Sequence, residues 1–181
     1  MKKLFFCNVA WMKKYDGEEP DIISGGGSYI EKHHNGAEIF NFRNVNGVHY
    51  GFVATQGHQI RIERLKEGAI NYVDNILVVW VAPKPDEGNK IIGWYNNAEV
   101  YREVQRHNNL FYNIKALVKD STLLPVEERK VDVPRARKAG KGKGMGQSNY
   151  WYADSVAAKE YCDKVRNYIK NYDDNTLNIN E

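Results

Sequence analysis

The feature that most constrains this chain is the run at residues 75–82, NILVVWVA. It is rich in β-branched residues, and no charge interrupts it. It is far short of the ~20 residues a membrane helix needs. It also lacks the alternation of a strand with one wet face. The run therefore predicts a strand buried on both faces, with Trp80 in the core, and a fold that covers both sides of a sheet. Residues 83–89 (PKPDEGN) are turn chemistry, and residues 90–95 (KIIGWY) return as the hairpin partner.

Shorter segments repeat the pattern. Residues 4–11 read as a first, largely buried strand. Residues 48–55 (VHYGFVAT) read as another, with Gly51 marking a bulge or a close backbone approach. Ile60, Ile62 and Leu65 suggest a further short strand, and residues 110–118 and 123–126 are strand or loop. Residues 16–29, with Asp16-Gly17, Pro20 and Gly25-Gly26-Gly27, read as a loop with one helical turn. The last element differs in kind. Apolar or aromatic residues at 157, 158, 161, 162, 165, 168, 169 and 172 have helical spacing, with Asp154 or Ser155 as N-cap. Residues 173–181 are polar and are expected to fray. The expectation is one α+β domain over residues 1–172, built on a small curved β-barrel with flanking helices and a C-terminal helix, followed by a polar tail.

Composition narrows the class. The chain has 181 residues, enough for one medium domain, and 42% of them are hydrophobic, so wholesale disorder is excluded. Lys and Arg number 26 against 23 Asp and Glu, a net charge of +3 that leaves any nucleic-acid reading to rest on charge placement. Cys7 and Cys162 form no CxxC pair, which excludes a zinc ribbon or thioredoxin-type site; two free buried thiols are expected. The N-terminal apolar run is broken by Asn8 and closed by Lys13-Lys14, too short for a signal peptide. The expected setting is soluble and cytoplasmic, with no membrane contact.

A search for catalytic chemistry returns little. His33-His34 are adjacent, so on an extended chain they point apart. HExxH and GxSxG are absent, and residues 140–146 (GKGKGMG) lack the Gly-Lys-Ser/Thr of a phosphate-binding loop. A restriction-type core forced onto Asp74, Glu87 and Lys90 fails, because Glu87-Gly-Asn-Lys90 has one residue too many. No catalytic residue, metal site or cofactor is expected.

Residues 129–143 (RKVDVPRARKAGKGK) stand out, with seven basic residues against one acid, Asp132. They run into residues 144–152 (GMGQSNYWY). Cations for phosphate, amides for base edges and rings for stacking then lie side by side, as a nucleic-acid site requires. The competing reading is a solvated loop that happens to be charged. Trp11, Trp94-Tyr95 and Trp151 lie at strand ends or near turn residues, where core packing and a pocket are both open to them.

The order of several segments then resembles one family. These are residues 6–12 (FCNVAWM), Gly25-Gly26-Gly27, residues 38–42 (EIFNF), Tyr50-Gly51, residues 79–82 (VWVA), residues 92–98 (IGWYNNA) with 100–102 (VYR), and residues 144–153 (GMGQSNYWYA). Together they resemble the EVE-like domain of modification-dependent restriction endonucleases, a member of the PUA-like group with the YTH, SRA and ASCH domains. The match covers residues 4–170.

The resemblance implies a small β-barrel that binds double-stranded DNA and takes a flipped modified base, methylated or hydroxymethylated, into an aromatic pocket. The residues assigned to that pocket are Trp11, Asn41, Phe42, Trp94, Tyr95, Gln147, Ser148, Asn149 and Trp151. Trp94 and Tyr95 are consecutive and face opposite sides, and Trp94 is preferred. Asn41 follows Ile39-Phe40, where a base edge would partner its amide. The DNA-backbone contacts are assigned to Arg135, Arg137, Lys138, Lys141 and Lys143. No His-Asn-His pattern follows Ala153. The expectation is therefore a non-enzymatic reader, excised or stand-alone, with a nuclease domain or subunit as partner. An RNA-binding module of the PUA-like group is the alternative, and a small-molecule or protein-interaction domain a third reading.

Overall fold

The computed structural model describes residues 1–18, 21 and 37–179. In chain order the elements are β1 (Leu4–Asn8), β2 (Val48–Gly51), β3 (Tyr72–Lys84), β4 (Gly88–His107), β5 (Leu110–Leu117), β6 (Ser121–Leu123), α1 (Ala136–Ala139), β7 (Tyr150–Trp151) and α2 (Lys159–Ile179). The glycines at 25–27 and the histidines at 33–34 lie outside the described residues.

The strands form one sheet in the order β2-β5-β4-β3-β1-β7, with β6 paired to β4 on the edge opposite β3. β1 runs parallel to β3, and the other pairings are antiparallel. As the 75–82 run predicts, β3 is buried on both faces. Val78, Trp80 and Ala82 enter one cluster with Phe5, Cys7, Ile92 and Tyr95. Leu77, Val79 and Val81 enter a second with Leu4, Phe6, Ile91 and Trp94. Consecutive along β4, Ile91 and Ile92 point to opposite faces and so serve both clusters, and the ladder carries a register shift between Trp80 and Val81.

α2 covers the second face with Cys162, Val165 and Ile169, and Ala158 of the preceding turn joins them. Burial of Val165 and Ile169 stabilises this docking by about 1.5–3 kcal/mol each. The helix does not stop at Tyr172. It runs to Ile179 because its last turns are anchored: Tyr172 Oη donates to Glu128 Oε2 at 2.7 Å, and Asn96 Nδ2 donates to Asp173 Oδ2 at 3.1 Å. No helix among the described residues is long and apolar enough to cross a membrane. Cys7 and Cys162 are both free and buried.

One further expectation is corrected and one is not confirmed. Residues 62–64 form a 3-10 turn, not a strand, since Ile62 and Leu65 stand three apart and such a turn puts both inward. The sheet is not closed: β2 and β7 are its two ends, so the expected barrel is not confirmed. The reason lies after β2. Asn41 and Asn113 take the backbone of Phe52 and Val53 with their side chains. Among the described residues, a side-chain bond, Asn149 Nδ2 to Ala54 O at 3.0 Å, spans from there toward β7. Gly51 provides the close approach its position suggested, since a Cβ there would lie 2.7 Å from Trp80 Cζ2.

Candidate nucleic-acid interface

The chain leaves the sheet after Asn8 and doubles back through Trp11. Tyr15 locks this bend: its hydroxyl donates to Ala10 O at 2.6 Å and accepts from Met12 N at 3.0 Å. Tyr15 itself adopts a φ of 55°. The Asp21 carboxylate accepts from the backbone N–H groups of Lys13, Lys14 and Tyr15. Arg129 closes the bend from the other side. Its guanidinium donates to Met12 O at 2.5 Å, Lys13 O at 2.8 Å and Leu124 O at 2.9 Å, and lies 5.1 Å from the Trp11 ring. Burial lowers the Arg129 pKa from its usual value, while Tyr15 and Asp21 pull it back up.

Glu38, in the 3-10 turn Ala37–Phe40, faces the same bend. Its Oε2 accepts from Ala10 N at 3.3 Å, and burial raises its pKa to about 7. Sequence reasoning did not assign Glu38 to the site. The available signal was an acid directly before Ile39 and Phe40, a position where burial is costly and a role is expected.

Three distant segments meet here. Asn8 N donates to Asn149 O at 2.6 Å, and the Asn149 side chain reaches Ala54. The end of β1, the segment after β2 and the segment before β7 therefore share one junction. Gln147 and Ser148 are exposed beside it, with Ser148 Oγ accepting from Tyr150 N at 3.5 Å.

The nine assigned pocket residues are not brought into one cage. Trp11, Asn41, Phe42 and Tyr95 belong to the first face of the sheet. Trp94 lies on the other, under α2, 5.3 Å from Tyr172 and 6.0 Å from Tyr168. The preference for Trp94 is thereby corrected: β4 pairs on both edges there, and its pleat sends Trp94 into the helix-facing core. Trp151 also faces α2, stacked on Phe6 at 4.9 Å and on Tyr161 at 6.2 Å. Tyr95 is fully buried, its hydroxyl donating to Asn41 O. The Asn41 amide, expected to await a base edge, is taken by both backbone groups of Phe52. Of the nine, Gln147, Ser148 and Asn149 stand together at the junction, while Trp11 is 7% exposed and packs into the first core with Arg129 against its ring.

The basic segment is pinned rather than free. Val131 and Val133 bond the start of β4, and Arg135 bridges to Met145. Ser155 Oγ donates to Gly142 O at 2.8 Å. Arg129 is withdrawn from the set of phosphate-facing cations, being 1% exposed. Arg135, Arg137, Lys138, Lys141 and Lys143 are exposed, and none forms an ion pair among the described residues. Because Met145 is held to Pro134 and Ala136, these five cations stand on the segment that leads directly to Gln147, Ser148 and Asn149.

The residues tried for a nuclease core are separated. Lys90 pairs with Asp132 at 2.5 Å and Glu87 at 3.9 Å, whereas Asp74 pairs with Lys66 near the opposite end of β3. Among the described residues no group of three or more His, Cys, Asp or Glu side chains is placed to hold a metal ion. Comparison of the chain with protein-family models, with curated proteins and with solved structures gives no match.

Proposed function

We propose that this protein reads modified bases in double-stranded DNA, using the junction at the end of β1 as its base site and the 135–143 segment as its phosphate contact. The observation that carries the reading is Asn149. It joins Asn8 and Ala54 to the segment that carries five exposed cations, none in an ion pair among the described residues, so amides and positive charge occupy one edge. Extruding a base costs a few kcal/mol, which stacking and hydrogen bonds in the site must offset. In this reading Trp11, 7% exposed with Arg129 against its ring, is uncovered to stack on the base, and Gln147, Ser148 and Asn149 supply the polar contacts. A methyl group adds under ~1 kcal/mol by transfer, so discrimination rests on a tightly shaped site. In this reading the sheet, with Asn149 bridging its open side, is an EVE-like variant of the PUA-like barrel. The protein cuts nothing itself and acts with a nuclease domain or subunit.

The test is a binding panel of methylated, hydroxymethylated and plain duplexes beside single-stranded RNA. Wild-type protein is expected to prefer a modified duplex. Neutralising Arg135, Arg137, Lys138, Lys141 and Lys143 together should weaken all duplexes alike and flatten the salt dependence. Gln147→Ala and Ser148→Ala, both at exposed positions, should reduce the preference for modification without lowering Tm. Indifference to modification overturns the reading, as does a preference for RNA that is lost when the five cations of residues 135–143 are neutralised.

A further inference from the structure

Among the described residues, the α2-bearing face of the sheet is only half covered. The helix lies over β1, β3 and the first part of β4, where Asn96 donates to Asp173. Further along β4, Ala98 and Val100 point into the first core, so Glu99 and Tyr101 stand on the helix-bearing side beyond the helix. There a stripe of rings crosses four strands. Tyr72 of β3 stacks on Tyr101 of β4 at 5.5 Å, and Tyr101 meets Tyr112 of β5 edge-on at 5.6 Å. Tyr112 meets Tyr50 of β2 at 4.9 Å, and Tyr50 stacks on His107 at 4.5 Å and 7°. Tyr72 is 52% exposed, and the other four rings are half-buried.

His107 also lines a shallow depression of about 390 Å³ with Arg43, Asn44, Asn46, Asn108 and Asn109. The stripe and the depression are therefore one continuous surface. Its charges are nearly all spent internally: Lys115 pairs with Glu99 at 3.2 Å, and the Tyr101 hydroxyl donates to the same carboxylate. Arg43 and Arg106 are the exceptions. Both are exposed and form no ion pair among the described residues; Arg43 rests 5.7 Å from the Phe40 ring, and Arg106 donates to Asn108 O at 2.7 Å.

We infer that this surface is a second nucleic-acid contact, one for single strands. Its rings offer π-faces that any unstacked base can use, and a duplex keeps its bases out of reach. Arg43 takes a backbone phosphate at the depression, where the asparagine amides meet sugar and base edges. A protein partner is less suited, since the five rings carry hydroxyl or imidazole groups and the aliphatic lining of the depression is limited to Val45 and Leu110. A neutral sugar chain would stack on the rings but leave Arg43 without an anion. The contact is distinct from the junction at the end of β1 and does not depend on the duplex reading.

The experiment is fluorescence anisotropy on the full chain with labelled single-stranded DNA and RNA of about 12 nucleotides, the usual reach of such sites, beside a plain duplex. Either single strand bound supports the inference, and the tighter one identifies its sugar. Arg43→Glu and Tyr72→Ala, both at exposed positions, should each weaken single-strand binding about tenfold, the size expected for one stacked base or one charged contact. They should leave Tm and duplex binding unchanged. Neutralising Lys138, Lys141 and Lys143 should leave single-strand binding within about twofold, because these residues belong to the other surface. No wild-type binding to either strand overturns the inference. So does a loss that follows the three lysines instead of Arg43 and Tyr72, binding to a neutral glucan in place of the strands, or a dimer in sedimentation that Tyr72→Ala dissociates.

Discussion

Asn41 pairs with Phe52 as a neighbouring strand would: Phe52 N donates to Oδ1 at 2.8 Å, and Nδ2 donates to Phe52 O at 3.1 Å. Asn113 does the same for Val53, and Asn149 takes Ala54 O. Three asparagines from distant parts of the chain thus hold three successive residues whose backbone groups have no strand partner. This keeps the segment after β2 in place once Gly51 has ended the ladder.

Asn41→Ala should destabilise the protein by about 2–3 kcal/mol, because two largely buried backbone groups lose their partners at once. Asn41→Asp keeps the acceptor for Phe52 N and should fall between the two. Urea denaturation measures this; a loss below ~0.5 kcal/mol for the alanine variant would mean that water replaces the amide without cost.

Trp94→Ala should cost about 3–5 kcal/mol, as for a large ring removed from a packed core. Its effect on the choice between modified and plain DNA should be nil at temperatures where the variant is folded. Thermal melts and duplex binding on the same sample separate the two quantities. A changed preference with unchanged Tm would return Trp94 to the base site.

Glu38 and His49 should give opposite limbs to the pH–stability profile. Glu38 has its pKa raised by burial to about 7. The folded state then holds a proton that the unfolded chain releases near pH 4.5, so stability falls as pH rises from about 4.5 to about 7, by on the order of 3 kcal/mol. His49, between Phe42 and Tyr95, has its pKa lowered by burial to about 4. The unfolded chain takes up a proton first, so stability falls as pH drops from about 6.5 toward 4. Glu38→Gln should remove the loss on the rising side and uncover the acid limb. His49→Gln should do the reverse. Denaturant midpoints from about pH 4 to 8 read both; a Glu38→Gln profile parallel to wild type would contradict the Glu38 assignment.

Arg129→Lys should destabilise by about 2–4 kcal/mol, since one ammonium cannot reach three carbonyls set for a guanidinium fork. The salt dependence of duplex binding should not change, in contrast to substitutions at Arg137 or Lys138. A flatter salt slope for Arg129→Lys, measured by titration at several ionic strengths, would place Arg129 among the phosphate contacts.

Much of the fold was legible where local pattern and burial agree. The residue 75–82 run specified a two-sided strand, and the 158, 162, 165, 169 spacing specified the covering face of α2. Residues 60–65 misled, because apolar positions 60 and 62 imitate strand alternation while 62 and 65 obey a 3-10 turn. In the basic segment composition counted seven cations alike, yet one of them, Arg129, neighbours Leu124 and the Met12–Lys13 carbonyls and is buried.

The sequence alone determined the period of each element, the opposite orientation of Trp94 and Tyr95, and the nearness of the cations to Gln147, Ser148 and Asn149, because these follow from backbone geometry over a few residues. Tertiary structure alone decided which side of the sheet faces α2, and so which of the two rings lies near Trp11. It decided that Asn41 spends its amide on Phe52, that Glu38 is buried beside Ala10, and that five rings from four strands line up outside the helix. Each of these depends on contacts between residues far apart in the chain, and the register, bulges and packing that create such contacts are set by the whole fold.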